Sequence, residues 1–185
     1  MSTKQMEKFE TEVEIPEGVT ISLDKHMLQV QGPLGRTFKN FRKIPVNLEI
    51  ADKKVNLKAI GKKKKDYAIL NTSRSIIRNL CEGVTNGYTI KMKVVFAHFP
   101  ITVKTEGKNV LIENFQGERA PRIAKIVGET KVVPKGEDVI ITGHVLTDVT
   151  QTAANIQSKT KVKEKDHRVF LDGIYVFEKK DGIEK

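Results

Sequence analysis

Two stretches of this chain can be laid over one another. Val19–Gly35, VTISLDKHMLQVQGPLG, and Ile101–Gly117, ITVKTEGKNVLIENFQG, align without a gap. Val19 meets Ile101, Ile21 meets Val103, Leu28 meets Val110 and Val30 meets Ile112. The turn residues Asp24-Lys25 fall on Glu106-Gly107, and Gly35 falls on Gly117. Further on, KKVNLKAI (Lys53–Ile60) lies over EDVIITGH (Glu137–His144), with the offset grown by two residues and Val55 on Val139, Leu57 on Ile141. A shared order at a nearly constant offset means two copies of one module, and that restricts the fold more than composition does.

Each copy has the same grammar. Two alternating runs around a short polar turn predict a hairpin. A second pair follows: VNLEI and VNLKAI in the first copy, TKVV and DVIIT in the second. Their turns are Asp52-Lys53-Lys54 and Pro134-Lys135-Gly136-Glu137. The period then becomes helical. Ile69, Ser73, Ile76, Ile77, Leu80 and Val84 share one face of a first helix, with Gly83 as its C-cap. Thr147 or Asp148 caps a second, with Val149, Ala153, Ile156 and Thr160 inward. The expected class is α+β, two tandem copies of a small antiparallel sheet covered by one helix. The Asn86-Gly87 turn puts the boundary nearby, giving an N-terminal repeat over 1–84 and a C-terminal one over 85–185.

Charge narrows the partners. Lys and Arg number 33 against 23 Asp and Glu, a net +10, which draws a chain to polyanions. Met1–Glu17 departs from this with five Glu against two Lys, a poor match to an anionic membrane or to phosphates. That start also lacks the apolar core of a signal peptide. No apolar run reaches the roughly 20 residues of a membrane span. A single cysteine, Cys81, excludes an internal disulfide and suits a reducing cytoplasm. Catalysis finds little footing. His26, His98, His144 and His167 are each alone, without metal-ligand spacing, and His98 in VVFAHFPI reads as a packed strand or loop residue. Cys81 reads as a buried thiol, and Ser73 and Ser75 have no nucleophile-elbow context. We expect no catalytic residues, metal, cofactor or small-molecule substrate.

Two basic segments remain. Lys62, Lys63, Lys64 and Lys65 precede the first helix and read either as a solvated loop or as a phosphate contact. Near the end, KTKVKEKDHRVFLDGIYVFEKK sets Lys159, Lys161, Lys163 and Lys165 at alternate positions. Extended, they would form a row about 6.5–7 Å apart, near the spacing of successive phosphates; in a helix the row would dissolve. Arg168 follows, whose planar fork holds a phosphate with two hydrogen bonds. Asp172-Gly173, amid an apolar run, predicts a hairpin. Phe170, Tyr175 and Phe177 read as core packing, with base stacking an alternative for Tyr175.

RVFLDGIYVFEK, together with VVFAHFPI, VQGPLG and the Asn-Phe-x-Gly-Glu stretch Asn114–Glu118, resembles the L-six family of large-subunit ribosomal proteins, in its archaeal and eukaryotic branch, where the eukaryotic member is numbered nine. The resemblance covers essentially the whole chain. It implies a structural, non-enzymatic constituent of the cytoplasmic ribosome that binds large-subunit rRNA in the sarcin–ricin region, at the base of the factor-binding stalk, beside neighbouring large-subunit proteins. It also implies that the C-terminal copy is the main RNA reader. Carried onto this sequence, the rRNA contacts are Lys159, Lys161, Lys163, Lys165, Arg168, Gly173, Tyr175, Lys179 and Lys180. Arg168 and the lysines would bind phosphate, Gly173 would give close backbone approach, and Tyr175 would pack or stack. Lys62–Lys65 lies outside that signature. A free RNA-binding or chaperone module of the same fold is the alternative.

Overall fold

The structure is a computed structural model that describes residues 9–97, 99–166 and 168–183. The chain divides into two compact units, Met1–Asn86 and Gly87–Lys185. His98 and His167 lie outside the described residues, as does the first half of the acidic start.

Unit 1 contains β1 (Glu10–Glu14), β2 (Thr20–Asp24), β3 (Met27–Gly32), β4 (Gly35–Asn40), β5 (Val46–Ala51), β6 (Lys54–Ala59) and helix α1 (Lys64–Thr85). The strands form two antiparallel sheets, β2-β3-β4 and β1-β6-β5, and α1 packs on both. Period-two alternation decides which side chains enter. Leu28 and Val30 of β3, and Val55 and Leu57 of β6, are fully buried against Leu70, Ile77 and Val84 of α1. Each such side chain contributes about 1.5–3 kcal/mol.

Unit 2 repeats this plan with β7 (Tyr88–Val95), β8 (Thr102–Glu106), β9 (Asn109–Glu113), β10 (Arg122–Lys125), β11 (Lys131–Lys135), β12 (Asp138–Gly143), helix α2 (Leu146–Lys159) and β13 (Gly173–Asp181). Its sheets are β8-β9-β10 and β11-β12-β7-β13. The aligned segments occupy equivalent strands: β2 and β3 correspond to β8 and β9, β6 to β12. The superposed turn residues Lys25 and Gly107 share a left-handed φ of 55°. The duplicated α+β plan is therefore present, with two antiparallel sheets in each copy rather than one.

Three local expectations are corrected. Gly83 does not cap α1; it is buried inside the helix, which runs on to Thr85 and ends where Asn86 and then Gly87, at φ 75°, leave it. Neither Thr147 nor Asp148 caps α2. The residue there is Val145, and Asp148 sits in the first turn, where a carboxylate meets the positive end of the helix dipole. Asp172-Gly173 is not a hairpin turn. A two-residue turn of that kind needs positive φ, which neither residue has, and Gly173 is already paired with Val95. One strand, β13, enters here and runs antiparallel to β7, with a bulge at Phe177.

Candidate nucleic-acid interface

The residues singled out near the C-terminus lie between the end of α2 and β13, all within unit 2. Helix α2 stops at Lys159, whose carbonyl accepts a 2.7 Å hydrogen bond from Arg122 Nη1. Arg122 is itself committed. Its guanidinium forks onto Glu118 and lies 4.2 Å from the centroid of Phe115. The hydrogen bond from Arg122 holds the Glu118 carboxyl below the usual carboxylate range. Thr160 then turns inward. Its buried Oγ1 bonds to the carbonyls of Ile156 and Gln157 and accepts the N–H of Ile174 at 3.1 Å. One hydroxyl thus joins the helix end to the start of β13.

The lysine row does not survive as a straight comb. Lys159 ends the helix, Thr160 and Val162 are buried and Lys161 and Lys163 exposed, so alternation holds from Lys159 to Lys163 and no further. Glu164 then adopts φ 58° and bends the chain. A turn follows in which the Asp166 carbonyl accepts the N–H groups of Val169 and Phe170, and the Asp166 carboxylate accepts that of Arg168. The Lys165 ammonium lies 4.7 Å from the centroid of the half-buried Phe170. The result is a curved, irregular basic segment anchored through Val162 and Thr160. Arg168 projects from it with its side chain 91% exposed and its Nε 3.4 Å from the Asp166 carboxylate.

At the entry to β13, the buried Asp172 accepts the Ala97 N–H through Oδ1 at 2.9 Å and ties the end of β7 to this segment. Gly173 is buried, and what occupies the space beside its α-carbon is Tyr175. A methyl group there would lie 2.8 Å from the ring. Tyr175 and Phe177 stay exposed and do not join the core, whereas Phe170 packs against it. Val95, Phe96, Phe99, Val169 and Leu171 are exposed as well. Sequence reasoning missed these as surface residues, because a run such as VVFAHFPI looks like an all-core strand.

The cations divide by partner. On the outer face of the sheet, Lys93 pairs with Asp138 at 3.1 Å and Glu137 at 3.4 Å, which raises its pKa, the Asp138 hydrogen bond being the larger cause. Glu178 holds Lys180 at 3.1 Å and Lys91 at 3.2 Å, and these hydrogen bonds, that of Lys180 first, lower its pKa. Lys180 is thus engaged within the chain. Among the described residues, no carboxylate pairs with Lys159, Lys161, Lys163, Lys165 or Lys179. Lys62–Lys65 belongs to unit 1. Lys63 precedes α1 and donates its N–H to Asp66, while Lys64 and Lys65 stand exposed in the first turn, where the helix dipole disfavours cations. No group of His, Cys, Asp and Glu suited to a metal ion occurs among the described residues, and no helix there is long and apolar enough to cross a membrane.

A family model described as "Ribosomal protein L6" matches residues 99–173. Proteins named "Large ribosomal subunit protein uL6" are similar along nearly the whole length. That of Methanosarcina mazei is 44% identical over 167 residues, 90% of this chain and 95% of the relative. That of Methanobrevibacter smithii is 45% identical, over 91% of this chain and 94% of the relative. That of Methanosphaera stadtmanae is 46% identical, over 91% and 92%.

Proposed function

Because the chain belongs to the ribosomal protein L6 family and is a structural, non-enzymatic constituent of the large ribosomal subunit, we propose that it binds large-subunit rRNA through unit 2, in the sarcin–ricin region at the stalk base. The observation that carries this reading is the concentration of exposed cations on one short segment, four of them lysines without carboxylate partners among the described residues. Lys159, Lys161, Lys163 and Lys165, with the projecting Arg168, lie on one segment beside exposed Leu171 and Tyr175. Unpaired ammonium groups repel one another, and a polyphosphate relieves that repulsion.

The chemistry suits folded RNA. The major groove of an A-form helix is too narrow for side chains to read, so recognition uses shape, phosphates and 2′-hydroxyls. A curved basic segment fits converging backbones better than a straight row fits a single strand. Lys179 extends the same charge along β13, and Tyr175, held at Gly173, offers a ring to a sugar or an unstacked base. Lys180 would reach phosphate only by sharing or leaving Glu178. Lys62–Lys65 forms a secondary contact in this proposal, since an anion there offsets the cations at the α1 N-terminus. No turnover is involved: the protein neutralises phosphates and fixes the orientation of the helices it touches.

The test is a salt titration with an rRNA fragment containing the sarcin–ricin helix. The native chain should release on the order of 4–8 counterions. Alanine at Lys161, Lys163, Lys165 and Arg168 should lower the log–log slope by roughly 3 and weaken binding more than alanine at Lys62–Lys65. A salt-insensitive affinity, or a larger loss from Lys62–Lys65, contradicts the reading.

A further inference from the structure

The duplication leaves one strand position unfilled. In unit 2, β7 is flanked by β12 on one side and β13 on the other. Its counterpart in unit 1, β1, pairs with β6, and among the described residues nothing pairs with its other edge. Connectivity accounts for the difference. The chain after α2 returns to its own sheet as β13, whereas the chain after α1 becomes β7 and is used in unit 2.

A groove of about 500 Å³ runs along this open edge. Glu12, Val13 and Glu14 line one wall, and Arg74, Arg78 and Cys81 of α1 line the other. Residues from both faces of β1 contribute and none from β6 does, which puts the groove at the strand's unpaired side. Its floor is apolar, for Val13 and Cys81 are buried core residues, and burial pushes the Cys81 thiol up to about 11. The helices carry the same comparison. Leu70, Ser73, Ile77 and Cys81 are buried at the same spacing as Val149, Thr152, Ile156 and Thr160. On that alignment Arg74 corresponds to Ala153. Ala153 is buried in unit 2, whose helix packs on β13, while Arg74 is exposed.

We infer that the open edge of β1 docks an extended segment of another protein, added antiparallel to β1 as β13 is to β7, with apolar and basic side chains in alternation. Main-chain hydrogen bonds to a sheet edge supply affinity in this mode, and alternate side chains supply specificity. Apolar side chains of the segment meet the Val13 and Cys81 floor. Basic ones meet Glu14, which has no ion pair among the described residues, and compete with the exposed lysines Lys58 and Lys54 for Glu10 and Glu12. The β7–β13 pair uses the same device with signs exchanged, Lys91 against Glu178 at 3.2 Å. The unpaired backbone edge of β1 is what an extended polypeptide recognises, and Glu14 beside it disfavours phosphate, so the occupant is protein rather than RNA.

The experiment uses the full chain and a fluorescein-labelled peptide of alternating valine and lysine, 9 residues long like β13. Fluorescence anisotropy reports binding, and amide hydrogen exchange reports the place. Saturable binding with protection confined to β1 is expected, and a valine–glutamate peptide should fail to bind. Joint E10K, E12K and E14K should weaken binding roughly tenfold or more. Arg74→Trp, at an exposed helix position, should block the groove without touching β1. The inference is overturned if the charge-reversed and Trp variants bind like the native chain, if protection falls on β4 or β13, or if an RNA oligonucleotide protects β1. It is equally overturned if removing residues 1–8 raises affinity tenfold or more, because the chain's own start then holds the edge.

Discussion

At the scale of single residues, the basic surface of unit 2 is shaped by which cations already have partners. Arg122 is forked onto Glu118 and stacked on Phe115, so it braces the end of α2 and has little to offer a phosphate. Lys180 shares Glu178 with Lys91, whereas its neighbour Lys179 has no carboxylate partner among the described residues. Gly173 is a matter of space rather than of backbone strain, since its φ is not positive and the Tyr175 ring fills the place of a side chain. The atoms a methyl group would strike are the far end of that ring, which can swing outward into solvent. Gly173→Ala should therefore cost less than about 1 kcal/mol in denaturant stability, because no core contact is broken. It should nonetheless weaken binding to the rRNA fragment several-fold by moving Tyr175. Urea unfolding and fragment binding, measured together, check this; unchanged affinity would mean that Tyr175 does not touch RNA.

At the scale of elements, the segment from Thr160 to Gly173 has almost no regular structure and is held at two ends by buried side chains. Thr160 accepts the Ile174 N–H, and Asp172 accepts the Ala97 N–H. Thr160→Ala orphans a buried donor and should cost ~1–3 kcal/mol. Thr160→Ser should recover most of that, and chemical denaturation of the three proteins tests it. This segment is also where sequence reading was least able to see. Strands such as β3 and β12 were legible because alternation and duplication agree, with Leu28 over Val110 and Leu57 over Ile141. The lysine comb was not, because its alternation is a pattern without an apolar face. Of the intervening residues only Val162 is apolar, Thr160 packs inward as a polar side chain, and Glu164, in a left-handed conformation, breaks the period. Asp172-Gly173 misled for a related reason. Its turn chemistry is local, but the bond that decides the geometry joins Asp172 to Ala97, 75 residues away in sequence.

At the scale of the whole molecule, one module has been used twice for different surfaces. Unit 2 fills its sheet with β13 and gathers cations on the segment that leads into it, while in unit 1, among the described residues, the β1 edge stays open beside the side chains of Glu10, Glu12 and Glu14. The central claim is that unit 2 holds rRNA through the segment from Lys159 to Lys180. Ultraviolet cross-linking of purified large subunits containing this chain, with the adducts mapped by mass spectrometry, tests it most directly. RNA adducts should concentrate on peptides spanning Lys159 to Lys180 and be absent from β1. Adducts confined to unit 1, with that segment unmodified, would contradict it.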